Sequence, residues 1–61
     1  MIAFLRKKHN LSQAELAQKL NVSQQSVSLY ESGKRQPPID ILIKLADLFG
    51  CTIDELVRGV I

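Results

Sequence analysis

Positions 23–29 read SQQSVSL, and the types and spacing of these residues define a chemistry. On a helix turning 100° per residue, Gln24, Gln25, Ser28, Leu29 and Ser32 share an arc of about 140°. Ser26, Val27, Tyr30 and Glu31 fall on the opposite side. A surface helix normally carries Lys and Glu on its wet side, whereas this one carries uncharged hydrogen-bonding groups and an aliphatic one. A carboxamide can pair with both N6 and N7 of adenine, a hydroxyl with several base edges, and an aliphatic group with the thymine methyl. Gln24, Gln25, Ser28 and Leu29 are therefore candidate readers of base-pair edges. The alternative is an ordinary solvated face. Lys34 and Arg35, just beyond this segment, can reach phosphates or a minor groove.

Other chemistry is poorly represented. His9 and Cys51 stand 42 positions apart, without the usual spacing of metal ligands. No glycine-rich phosphate loop occurs, and so small a helical chain offers little pocket. We expect no enzyme activity, cofactor, metal or small-molecule ligand. A single cysteine precludes an intramolecular disulfide, so Cys51 reads as a small buried hydrophobe. Sixty-one residues form one domain, residues 1–61, near the lower limit for folding without staples. There is neither a signal-peptide pattern nor an apolar run long enough to span a membrane, so no membrane partner and a cytoplasmic location are expected. Charge is uneven. Residues 1–38 carry six basic and two acidic side chains, and residues 39–61 two basic and four acidic. A basic half beside an acidic half fits a chain with one face for polyanions.

The elements that position these residues announce themselves at their starts. Ser12 and Glu15 form a capping box, and Leu11 with Leu16 has the spacing of a hydrophobic staple. Thr52, Glu55, Cys51 and Leu56 repeat the device, and Ser23 with Val22 and Val27 repeats most of it. The pattern predicts helices over Ile2–His9, Gln13–Leu20, Gln24–Ser32, Ile39–Phe49 and Ile53–Arg58, with Gly33, Gly50 and Gly59 as stops. The fold class is all-α, a five-helix bundle. Only Asn21 and Val22 separate the second helix from the Ser23 cap, so those two helices must cross steeply. Asn21 tolerates the positive φ such a turn needs, and Ala17 is small where the helices approach. This describes a helix-turn-helix.

Gln13, Leu16, Ala17, Leu20, Val22, Val27 and Tyr30, followed by ESGKRQP and LIKLADLFGCTIDEL, resemble the phage-repressor and Cro type (XRE-like) helix-turn-helix family of bacterial DNA-binding regulators. The resemblance covers essentially the whole chain. It implies a lambda-repressor-like five-helix bundle, a symmetric dimer on palindromic operators in double-stranded DNA, and the third helix in the major groove. It also implies phosphate-backbone contacts from Gln13, alongside Ser23, Lys34 and Arg35, and a buried ion pair between Arg6 and Glu31. The family usually has Gly where Asn21 stands, and its first helix usually begins several residues earlier than Met1. Lys7 and Lys8 could serve as phosphate contacts or as a solvated helix end. Lys19 reads as plain surface, and Tyr30 and Phe49 as core. His9 is expected near a helix end without a special role.

Helix 4 is apolar over about 220°, wider than burial against one side requires. The surplus Ile41 and Leu48, with Val57, Val60 and Ile61, predicts a homodimer interface at the helix 4–5 corner and the tail. Alternatively the tail folds back over its own core. The favoured functional class is a transcriptional regulator, with repression expected. A protein-interaction module of antitoxin type is the rival, although no toxin-wrapping tail is expected; regulation is expected from concentration, a partner or a portion of the protein outside this sequence.

Overall fold

A computed structural model describes residues 1–58. Its helices are α1 (Ile2–Lys8), α2 (Gln13–Leu20), α3 (Gln24–Ser32), α4 (Ile39–Phe49) and α5 (Ile53–Arg58), and no strand occurs among the described residues. This is the expected all-α architecture. The start of every helix agrees with the sequence reading. The capping boxes form: the Glu15 amide donates to Ser12 Oγ at 3.0 Å, and the Ser12 amide donates to Glu15 Oε1 at 2.8 Å. Thr52 and Glu55 repeat this at 3.0 and 2.9 Å.

The first helix stops at Lys8, one residue short of the sequence expectation, because His9 already leaves helical geometry and Asn10 turns left-handed at φ 59°. The Leu11 amide then reaches back to the Arg6 carbonyl at 3.0 Å, and the Asn10 amide to that of Lys7 at 3.0 Å. This is a Schellman termination, which satisfies carbonyls that the helix end leaves without partners. Asn21, φ 59°, ends α2 in the same way, with Val22 bonded to Ala17 and Asn21 to Gln18. The three-residue joints Asn10-Leu11-Ser12, Asn21-Val22-Ser23 and Gly50-Cys51-Thr52 share one plan. A left-handed residue stops one helix, an apolar residue packs against the core, and a hydroxyl caps the next helix.

The core joins Leu5 of α1, Leu16, Ala17 and Leu20 of α2, Val27 of α3, Ile41, Leu45 and Phe49 of α4, and Leu56 of α5. Leu16, Leu20, Val27 and Leu45 are fully enclosed. Ile41 corrects the sequence reading. It is a core residue at 5% exposure, while Ile39 and Ile43 on the same helix stand out at 63% and 47%. Leu48 is half-buried and Val57 is exposed. Val60, Ile61 and the expected stop at Gly59 lie outside the described residues. Phe49 is core as expected, whereas Tyr30, also expected in the core, is only half-buried at the margin of the cluster. His9 does more than end a helix: its ring lies 5.1 Å from that of Phe49, tilted by 46°. No described helix is long and apolar enough to cross a membrane.

One polar cluster ties the first helix to the third. Arg6 Nε donates to Glu31 Oε2 at 2.6 Å, and Nη1 donates to the Leu11 carbonyl at 2.9 Å. Nη2 makes a longer contact with Glu31 Oε1 at 3.4 Å. Both side chains are nearly buried, with 12% and 9% of their surface exposed. Breaking such a pair by removing one partner strands a charge, at a cost on the order of 3–5 kcal/mol. Arg6→Ala should therefore lower the melting temperature by well over ten degrees or leave the chain unfolded. A melt within a few degrees of the parent's would contradict this. Burial raises the Glu31 pKa, but hydrogen bonds from Arg6 and Gln13 outweigh it and hold the carboxyl below its ordinary value. The folded form thus binds the proton less readily than the unfolded chain. This contribution is fully present above the ordinary carboxylate range and fades as pH falls through the depressed value. Acid denaturation followed by circular dichroism should show Glu31→Gln to be less acid-sensitive than the parent.

Candidate nucleic-acid interface

The α2–α3 joint fixes how α3 is presented. Val27 is fully buried, while Gln24, Gln25 and Ser28 are exposed on the other side of the helix. The predicted reading face is therefore solvent-facing at these positions, and their amides and hydroxyl are open to a partner. Leu29 differs from the expectation, being half-buried at the edge of the face. Its side chain can offer a partner only part of its apolar surface.

The backbone-contact candidates divide by what already engages them. Ser23 Oγ accepts the Ser26 amide at 3.0 Å and donates to Ser26 Oγ at 2.9 Å, so its hydroxyl proton is occupied within the cap. Any donation by Ser23 to a phosphate falls to its main-chain N–H. Gln13 is half-buried, and its Nε2 donates to Glu31 Oε1 at 3.0 Å. One carboxamide N–H remains. Lys34 and Arg35 are exposed, and their main-chain amides fold back on the Leu29 carbonyl at 3.1 and 3.3 Å. The Ser32 hydroxyl donates to the same carbonyl at 3.1 Å. Gly33, at φ 78°, makes this wrap sterically cheap. The backbone that carries the two cations is thereby held against the last turn of α3, and their side chains extend into solvent. Lys7 and Lys8 are exposed at the end of α1.

Two tethers escaped the sequence reading. Lys44 Nζ of α4 donates to the Leu20 carbonyl at 3.4 Å, a long bond at the end of α2, and Gln13 joins the Arg6–Glu31 pair. Neither has a local signature, since the partners lie 24 and 18 positions apart. Cys51 is half-buried, and burial with the nearby Glu55 charge pushes its thiol pKa up. A thiol so shifted is a poor nucleophile. Among the described residues no three His, Cys, Asp or Glu side chains converge to hold a metal.

A helix-turn-helix family model matches residues 2–56. The chain belongs to this family. It is the phage-repressor and Cro type, a family of DNA-binding transcriptional regulators and not of enzymes. The chain is 38% identical over 55 residues to an HTH-type transcriptional regulator of Methanocaldococcus jannaschii, covering 90% of this chain and 83% of that protein. It is 44% identical over 55 residues to the HTH-type transcriptional activator BcrR of Enterococcus faecalis, covering 90% of this chain and 27% of the activator. It is also 40% identical over 55 residues to the cryptic phage CTXphi transcriptional repressor RstR of Vibrio cholerae, covering 90% of this chain and 49% of the repressor. The chain thus spans most of the archaeal relative but half or less of the other two.

The joint that sets α3 depends on a left-handed Asn21. A residue with a Cβ and no polar side chain pays about 1–2 kcal/mol for that conformation. Asn21→Ala should lower the unfolding free energy by about that amount, whereas Asn21→Gly should stay within several tenths of a kcal/mol of the parent. Urea denaturation distinguishes them, and equal midpoints for the two variants would refute the role given to this backbone angle.

Proposed function

We propose that this chain is a sequence-specific double-stranded DNA-binding repressor that occupies a palindromic operator as a homodimer, with α3 in the major groove. The observation that carries the proposal is the division of α3. Val27 anchors the helix in the core while Gln24, Gln25 and Ser28 face solvent with free hydrogen-bonding groups. Such a face serves base readout, and Leu29 adds an apolar edge for a thymine methyl. Gln13, Lys34 and Arg35, with the Ser23 main-chain amide, are suited to phosphates and so to register and affinity. Repression requires only that a bound protein occlude the promoter, and one relative is named as a phage repressor. Another is named as an activator, so a promoter–reporter fusion decides the sign.

The dimer is argued from apolar surface that stays exposed among the described residues. Ile39 and Ile43 lie one turn apart on α4 and are exposed, as is Val57 of α5 at 57%. They replace Ile41 in the proposed interface, with Leu48 at its edge. Two copies related by a two-fold axis place their α3 helices about 34 Å apart, one turn of B-DNA, as in phage repressors. Sites selected from random DNA should be near-palindromes with half-site centres about 10 base pairs apart. Val57→Glu should convert a dimer to a monomer in sedimentation at tens of micromolar.

The two groups of DNA contacts act through different physics. Each good base contact is worth about 1–3 kcal/mol of discrimination, whereas each neutralised phosphate contributes about one unit of salt slope. Gln25→Ala should reduce preference for the selected site and leave binding to scrambled duplex nearly unchanged. Lys34→Ala should weaken both alike and flatten the salt dependence. If Gln25→Ala weakens binding to both duplexes equally, α3 is not the reader.

A further inference from the structure

We propose that Glu31 is a positioning residue for the DNA-phosphate contact of Gln13, holding that carboxamide in one orientation so that its second N–H is aimed before DNA arrives. The inference rests on the reading of Gln13 as a phosphate contact and deepens it. Gln13 sits at the first position of α2, and Glu31 in the last turn of α3. They are 18 positions apart, yet Gln13 Nε2 lies 3.0 Å from Glu31 Oε1.

A free glutamine side chain samples several rotamers, and its amide can flip to present oxygen or nitrogen. Here a flip would place the carboxamide oxygen against an ionised carboxylate, so electrostatics selects the nitrogen. The second N–H then diverges from the first by about 120°, the angle set by a planar amide nitrogen. A donor fixed this way loses less conformational freedom when it binds. Such ordering of one long side chain corresponds to roughly threefold to tenfold in affinity.

A carboxylate next to a phosphate would ordinarily repel it. Arg6 removes that objection, because its guanidinium contacts both Glu31 oxygens, at 2.6 Å to Oε2 and 3.4 Å to Oε1. The pair is close to neutral as seen from the DNA side. Arg6 thus serves the fold, while the remaining acceptor capacity of Glu31 serves the interface. The two roles meet on one atom: the same oxygen, Oε1, accepts from both Arg6 and Gln13.

The test has one arm without DNA and one with it, using the full chain. In the free protein, NMR titration should show the Gln13 side-chain NH2 resonances moving with the Glu31 carboxyl at low pH. Gln13→Ala should raise the midpoint of that carboxyl's titration, because it removes a donor to the charged form. In the second arm, salt-dependent binding to a scrambled duplex is measured for the parent, Gln13→Ala, Glu31→Gln and the double variant, each confirmed folded by its melt. Glu31→Asp, which keeps the charge but shortens the reach, supplies a second test should Glu31→Gln fail to fold. The expected result is that Gln13→Ala weakens binding severalfold in the parent and much less when Glu31 is Gln or Asp. An equal loss in both backgrounds, with Gln13 resonances indifferent to Glu31, overturns the proposal. If Gln13→Ala leaves DNA binding unchanged while the NMR link persists, the phosphate contact itself is wrong and the proposal falls with it. The two failures are therefore distinguishable.

Discussion

The Glu31 carboxylate is the point on which the rest of the molecule converges. Arg6 brings α1 to it, and the same guanidinium holds the Leu11 carbonyl in the joint before α2. Gln13 brings the first residue of α2 to it. Glu31 itself belongs to α3. Three helices thus meet at one ionised group in a protein whose apolar core is small, and the hydrogen bonds there are directional where apolar packing is not. Dispersion and burial gather the helices, with Leu16, Leu20, Val27 and Leu45 at the centre. The ionic cluster sets how α1 and α2 are oriented against α3. The candidate DNA face is consequently built on a fixed frame.

Much of this was legible in the sequence because helix starts are local events. A hydroxyl and flanking apolar residues, with an acid three residues on at Ser12 and Thr52, lie within one short window, and Ser12, Ser23 and Thr52 all cap as that window implies. The exposed part of the candidate face was legible for a similar reason, since helical periodicity separates Val27 from Gln24, Gln25 and Ser28. Leu29 lay at the boundary of that arc, where periodicity cannot distinguish an exposed side chain from a half-buried one.

What the sequence left hidden depends on packing at a distance. Ile41 and its neighbours Ile39 and Ile43 are chemically alike, and a helix apolar around more than half its circumference does not declare which edge faces inward. That choice depends on where the other helices lie, and they take Ile41 into the core with Leu45 and Phe49. The Gln13–Glu31 bond was invisible for the same reason. Asn10 was a different failure: its joint has the composition of the one at Asn21, but asparagine adopts many conformations and marks a left-handed turn only weakly.

The three-residue joints have a consequence for how such a domain can vary. Each residue of a joint has a task on both of its sides, so inserting even one would separate the stop, the packing residue and the cap. The path from Gly33 to Pro38 carries no such triple duty, and only Pro37 is buried within it. Changes in chain length are therefore best tolerated there. Lengthening that segment after Arg35 would leave both the helix crossings and the wrap onto the Leu29 carbonyl in place. The architecture separates an inextensible part, which sets how the candidate face is presented, from a segment beside it that is free to vary in length.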